Sequence, residues 1–551
     1  MSDEPLLDTA LAEIPESENL VRSARSMSIL TAVSRGTGFL RIAVVTNVLG
    51  TTYLANTYET ANTVPNVLFE LLAAGALQAV LIPTMVELVD GDDRDDAEHV
   101  IGAVLGLTCA LLAAVAIAVA IAAPQIMDVL FHGVAHAGIR QAEVNLGTFF
   151  LWFFLPQVLF YVGNVVATAL LNADGSFALP VFAPTINNVV VIGAYLAFAL
   201  MHRGRPISLH ITTAEKLVLG GGTTLGVIAF CAVPIVAAGR RFRLRMNFDY
   251  RHASVRRLAR EGSWAALYLA LAQVLLVVIL QISNRREGAV AVYNLAYILY
   301  LLPHSLFSVP VLTTRFPSLT RQYRDGDLGG FSGNLSQGLR SIGFLTLPST
   351  GILIALAGPA TRVIVHGSAA HRAREIAEAT AGFAPGILGF GLVLYLTRAM
   401  YAQRDARTPT LANAVIAVVG TVAMFVAAGA VSGRHLVAAL GLAYALAQTV
   451  GAVLLLVVIV RRLGADGFSL EGVASSMARN LVASALAGVS AWAIARAIGR
   501  GGTVGSLLEL AAGGIAGVVV FVGAQALLGG PAPGVAVRSL GAIRRHDGAV
   551  G

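Results

Sequence analysis

Two stretches decide how this chain is read: residues 124–143, PQIMDVLFHGVAHAGIRQAE, and residues 359–378, PATRVIVHGSAAHRAREIAE. Pro, His-Gly, a second His, Arg and Ala-Glu recur in the same order. Residues 169–187, ALLNADGSFALPVFAPTIN, answer in the same way to residues 399–413, AMYAQRDARTPTLAN. In each, small residues and an Asp end one helix, a Pro opens the next, and an Asn follows. Val64-Pro65-Asn66 leading to Pro83-Thr84 pairs with Leu302-Pro303-His304 leading to Pro317-Ser318. All three pairs lie 230 to 238 residues apart, and that shared register signals a duplication.

What is duplicated is a set of apolar runs. A spanning helix needs about 20 mainly apolar residues. Fourteen stretches meet that rule: 27–49, 61–89, 100–123, 146–171, 180–201, 217–238, 262–282, 288–313, 337–357, 380–402, 410–431, 436–460, 479–498 and 507–528. The runs are continuous rather than alternating, which excludes a β-barrel. A repeat covering six spans keeps both copies in one orientation, so the two lobes are parallel. The expected fold is an all-α integral membrane protein of about 14 transmembrane helices. An N-terminal lobe (27–238) and a C-terminal lobe (262–460) carry six spans each, and two further helices occupy 479–528. A basic cytoplasmic linker, 239–261, joins the lobes. An acidic, disordered cytoplasmic tail (1–26) and a second cytoplasmic tail (529–551) flank them.

The bulk composition agrees. Of 551 residues, 56% are apolar and only 13% charged, with mean hydropathy +0.75. A soluble domain carries about 25% charged residues, so a water-soluble enzyme is excluded. All but Lys216 of the 38 basic residues are arginines, in short loops between apolar runs, and the net charge of +7 does not indicate nucleic-acid binding. With the amino terminus in the cytoplasm, about 22 loop arginines fall inside and about 12 outside, the bias of a positive-inside topology with both termini cytoplasmic. The Arg240–Arg260 loop anchors that topology and offers a contact for anionic inner-leaflet lipids. Cys109 and Cys231 lie within apolar runs and suit neither a disulfide nor a metal site. No basic region opens the chain, so no cleaved signal peptide is expected.

No phosphate-binding GxxxxGK[ST] loop, HExxH, paired-Cys zinc pattern or GxSxG is present. Gly220-Gly221-Gly222 reads as a loop at a helix start. The acidic run Asp90 to Asp96 reads as a solvated loop. No catalytic constellation, metal or cofactor is expected. Charge inside the first spans then carries the functional reading. Arg35 and Arg41 lie in SRGTGFLRI, and each costs about 2.5–3.5 kcal/mol at a helix centre. Arg35, nearer the start, is better placed to snorkel to the headgroups. Glu70, in PNVLFELLAAG, would be costly facing lipid, and an arginine on the first helix is its expected partner. His304, Gln273, Gln281 and Asn284 are polar groups of the seventh and eighth spans that could line the same cavity.

These residues resemble the MurJ/MviN lipid II flippases of the multidrug/oligosaccharidyl-lipid/polysaccharide exporter superfamily. The resemblance rests on Ser34-Arg35 with Gly38-Phe39 and Arg41, and on Pro65-Asn66 with Gly75-Ala76. Leu171-Asn172 followed by Phe182-Ala183-Pro184-Thr185 and Asn188 adds to it, as does Gln403-x-Asp405-x-x-Thr408-Pro409. It implies two lobes around a central cationic cavity, and alternating access that moves an undecaprenyl-pyrophosphate-linked cell-wall precursor outward. It makes Arg35 and Arg41 cavity arginines; Ser34, Asn66, Glu70, Gln273 and His304 are the further candidate substrate-binding residues of the cavity. It also gives 479–528 a groove for the polyprenyl tail, and cell-wall synthesis proteins as expected partners. Four positions depart from the family pattern: Asn56 and Ala74 replace acidic residues, and Phe69 and Ile298 fall where arginines are expected. Those departures leave open a flippase for another polyprenyl-linked glycan, an ion-coupled small-molecule antiporter of the same superfamily, and a non-transporting cell-wall scaffold. A membrane glycosyltransferase would have to use the Asp90–Asp96 run, which a solvated loop explains better.

Overall fold

The computed structural model describes residues 14–71, 94–174, 176–242, 245–249, 253–464, 468, 470–499 and 502–530. Among them the regular elements are helices: α1 (Ile14–Val48), α2 (Tyr53–Phe69), α3 (Arg94–Ile121), α4 (Ala123–Leu130), α5 (Ala137–Phe154), α6 (Gln157–Ala173), α7 (Ala178–Met201), α8 (Thr213–Gly239) and α9 (Ala253–Ser283). Then follow α10 (Ala289–Pro303), α11 (Val309–Arg324), α12 (Leu328–Ile364), α13 (Ala373–Phe383), α14 (Gly386–Ala402), α15 (Arg407–Ala430), α16 (Leu436–Leu463), α17 (Leu470–Ile498) and α18 (Gly502–Leu527). Lipid offers no partner to a free backbone group, so a helix, which satisfies its own, is the form these apolar runs take.

Eleven helical stretches among the described residues are long and apolar enough to cross a membrane. A twelfth is a pair, Ala369–Phe383 with Gly386–Ala402, bent by 43°. These correspond to the third to fourteenth expected spans. The first expected span, 27–49, lies in α1 but for its last residue, and the second, 61–89, begins in α2 and mostly lies outside the described residues. Part of the Asp90–Asp96 run also lies outside them; α3 begins at Arg94.

The chain divides into two compact units. The first comprises Met1–Val48, Ala61–Ile126 and Asn145–Ala266. Its core gathers Ile101, Leu112, Val158, Val162, Leu170 and Leu171 from α3 and α6. The glycine run 220–222 is not a loop but lies inside α8. A Cβ on Gly222 would strike the Ala194 side chain of α7, so the missing side chain lets the two helices approach. The start of α8 is fixed by a capping box between Thr212 and Glu215. The buried Glu215 also meets His202 at 2.9 Å and pairs with Arg205. Of the arginine-rich linker, Arg241 pairs with Asp174, and Asn247 donates its backbone N–H to Gly102 O at 3.1 Å.

The second unit comprises Leu49–Thr60, Met127–Val144 and Leu267–Gly551. Here α17 and α18 pack on each other and on α12. Gly351 and Gly488 meet backbone to backbone, since a Cβ on Gly488 would lie 2.9 Å from Gly351 O. Small residues at such crossings let membrane helices gain contact that apolar solvent does not otherwise drive. A buried aromatic cluster of Tyr293, Tyr297, Tyr300, Phe383 and Tyr444 ties α10 to α13 and α16.

Candidate functional site

In the first unit, the residues of the α1 motif meet the motif on α7. Asn188, buried on α7, donates to Thr37 Oγ1 at 3.2 Å and approaches Ser34 O at 3.5 Å. Thr37 itself donates to Ser34 O at 3.0 Å. A Cβ on Gly38 would sit 3.5 Å from Asn188 Nδ2, an ordinary contact, so α1 and α7 cross closely there. Ser34, Gly38 and Asn188 are thus one packing joint, which fixes the rotation of α1 and the direction in which its arginines project. Arg35 is exposed and Arg41 half-buried.

Arg41 lies within electrostatic reach of the Tyr161 hydroxyl, and Tyr161 stacks obliquely on Phe69, with ring centres 5.3 Å apart. The family's second-helix arginine position is therefore filled by a ring packed on another ring. Glu70 is half-buried in a π-turn at the end of α2. Among the described residues Arg41 and Glu70 form no ion pair with each other or with any other residue, contrary to the sequence expectation. Asn66 is exposed, and its amide donates to Asn62 O at 3.1 Å one turn back.

In the second unit, Gln273 lines a cavity of about 220 Å³ with Tyr268, Tyr297, Asn413, Tyr444 and Gln448. Gln448 Oε1 is buried there without a partner. His304 opens a π-turn, His304–Ser308, and packs on Phe390, which borders the same cavity, at 4.6 Å between rings. Its Nδ1 is buried and unpartnered. Gln281 and Asn284 do not join that cavity. Gln281 donates to Val129 O at 3.3 Å, and Asn284 is fully buried between Thr60 Oγ1 and Leu130 O, at 3.1 and 3.3 Å.

Asn284 belongs to a polar network that sequence reasoning missed. Asn56 donates to Arg286 O at 2.9 Å and accepts from Val290 N at 3.1 Å. Asn294 donates to Glu59 at 3.2 Å. Arg286 pairs with Glu375, and Arg372 approaches the same carboxylate at 3.6 Å. The available signal was the unexpected amide at position 56, in place of an acid.

A helical plan of this kind, with polar groups set within its spans, is that of a multi-pass integral membrane protein. The structural comparisons agree on the fold. A solved structure described as "Lipid II flippase MurJ, inward closed conformation" matches with a TM-score of 0.71 at 18% identity, covering 91% of this chain and 98% of that one. An inward-facing multidrug resistance MATE family transporter of the MOP superfamily matches with a TM-score of 0.61 at 12% identity, covering 79% and 98%. The family model for lipid II flippase MurJ matches residues 45–513. The chain belongs to the MurJ family. Among curated relatives, the lipid II flippase MurJ of Burkholderia cenocepacia is 27% identical over 399 residues, 71% of this chain and 75% of the relative. The probable lipid II flippase MurJ of Rhizobium tropici is 26% identical over 448 residues, 81% of each chain.

Proposed function

We propose that this chain is a flippase that moves undecaprenyl-pyrophosphate-linked peptidoglycan precursor, lipid II, from the inner to the outer leaflet of the bacterial cytoplasmic membrane. The observation that carries the proposal is the family match from residue 45 to residue 513, which runs through both lobes and into α18. Movement is by alternating access, and the chain performs no chemistry on its cargo. Membrane potential or an ion gradient supplies the driving force, because an inside-negative potential favours outward movement of an anionic head group by about 2.3 kcal/mol per charge per 100 mV.

Arg35 and Arg41 serve as cations for the pyrophosphate, where charge-assisted hydrogen bonds are about twice as strong as neutral ones. Arg41 is half-buried and has no carboxylate partner among the described residues, which supports that role. Ser34 and Asn188 orient α1; Asn66, Glu70, Gln273 and His304 are the further cargo contacts. Between α12 and α17 lies an apolar groove of about 330 Å³ lined by Gly351, Ile354, Ser484, Gly488, Val489 and Trp492, which suits the polyprenyl tail. Both termini are cytoplasmic, the Arg240–Arg260 loop touches anionic inner-leaflet lipids, and cell-wall synthesis proteins are the partners. Depletion complementation tests the proposal: the gene should rescue growth and shape of a bacterium deprived of its own lipid II flippase. Failure to rescue, with the protein present in the membrane at normal abundance, would sink it.

A further inference from the structure

Glu143 and Glu378 close the two copies of the duplicated segment, each in an Ala-Glu pair. Their surroundings have diverged. Glu378 meets Arg374 at 3.0 Å, His435 at 3.0 Å and Arg434 at 3.7 Å. Glu143, two turns into α5, is fully buried and has no ion pair among the described residues. Its Oε2 has no partner at all, and its Oε1 lies 3.4 Å from Thr57 Oγ1.

The Thr57 contact indicates where a proton sits. A hydroxyl has one hydrogen, and Thr57 directs its own to Tyr53 O at 2.8 Å. With that hydrogen committed to the shorter contact, a protonated Glu143 completes the longer one by donating to Thr57. The surroundings supply no cation to hold a carboxylate instead. Arg286 and Arg372 are engaged by Glu375, and Arg372 also donates to Glu287 O. Arg140, one turn before Glu143, is engaged by Asp128 at 2.6 Å, with His132 Nδ1 at 3.3 Å. The other ionisable groups that act on Glu143 are acids, Glu287 and Tyr53. An unpaired buried charge costs several kcal/mol, so such a group takes up a proton instead.

We propose that Glu143 is a proton-binding site, filled while the 49–60 and 127–144 segments pack together. The site rests on the proposed transport reading for its setting, because that topology puts both segments at the outer face. Opening that face hydrates Glu143, which releases its proton to the outer solution, and closing it again takes one proton up. Outer acidity therefore favours the closed arrangement, and transport acquires a dependence on external pH without any net proton translocation.

The full-length protein in detergent or nanodiscs tests this by infrared spectroscopy and by thermal unfolding from about pH 5 to about pH 9. The folded protein binds one proton more than the unfolded chain, so this group makes stability fall as pH rises. The unfolding constant gains up to about tenfold per pH unit from it. Glu143→Gln has the same shape, can donate to Thr57 and removes that slope. Equal pH slopes in the wild type and E143Q would overturn the proposal. The wild type also shows the carbonyl stretch of a protonated carboxyl at neutral pH, and its absence overturns the proposal even where E143Q fails to fold. Neither measurement involves cargo. A chain that shows the band but fails complementation keeps the proton site and loses the flippase reading; the reverse result separates them the other way.

Discussion

Asn56 accepts the backbone N–H of Val290 at 3.1 Å through its amide oxygen, while its amide nitrogen donates to the Arg286 carbonyl at 2.9 Å. The side chain thus bridges the turn that precedes α10 and is fully buried in doing so. An aspartate could make only the first bond, because an ionised carboxylate accepts and never donates. The departure from an acidic residue at this position therefore has a structural cause.

Asn56→Asp should destabilise the protein by about 1–3 kcal/mol, since it sets a buried carboxylate against the Arg286 carbonyl oxygen, which then keeps only the Ala289 N–H at 3.2 Å. Thermal unfolding at neutral pH reads the loss, and Asn56→Ala should fall on the same side. A wild-type melting temperature in both variants would show that the bridge contributes nothing.

Much of the fold was legible because span length and repetition are coarse signals. The apolar runs from 100–123 to 507–528 each appear as a spanning helix or helix pair. Less legible was anything set by packing across helices. Nothing in the spacing of Ser34, Gly38 and Asn188 shows that they form one joint. Charge cost alone suggested a bond from Glu70 to an arginine of α1, but cost does not fix geometry, and the pair is not formed. Gly220-Gly221-Gly222 misled for a related reason: glycine permits a turn, yet inside α8 the missing Cβ at Gly222 serves a close crossing with α7.

Arg41→Ala should abolish flipping while membrane abundance stays near wild type, because among the described residues the arginine has no carboxylate partner to leave stranded. Arg41→Lys should restore part of the activity, since lysine offers a point charge without the bidentate fork. Adding Glu70→Ala to Arg41→Ala should not recover activity. Recovery in that double variant, scored by quantitative immunoblot and a flipping assay, would show that the two side chains act as a pair.

At the loop between α14 and α15, burial works to raise the Asp405 carboxyl. Hydrogen bonds from the Thr408 side chain and backbone and from Arg462, together with the Arg462 charge, outweigh it and hold the carboxyl below the usual aspartate range. The folded state then binds fewer protons than the unfolded chain, so this contribution is present at neutral pH. It is lost as pH falls below about 4. Asp405→Asn should cost about 1 kcal/mol at neutral pH, a modest figure because Arg462 is partly exposed. The variant should also lose this component of acid sensitivity; an unchanged melting curve against pH would refute the assignment.

Single cysteines placed at 240–260 and at 372–376 should label from opposite faces of the membrane in intact cells, the first from the cytoplasm. Labelling from one face would break the fourteen-span topology, and with it the outer placement of the Asn56 and Glu143 network.

The central claim is tested most directly by reconstituting the full-length protein in liposomes with fluorescent lipid II and following its passage between leaflets under an imposed potential. Transfer should proceed without ATP, speed up when the side receiving the head group is made positive, and vanish in Arg41→Ala. Passage no faster than in protein-free liposomes, or transfer that needs ATP and ignores the potential, would contradict the account.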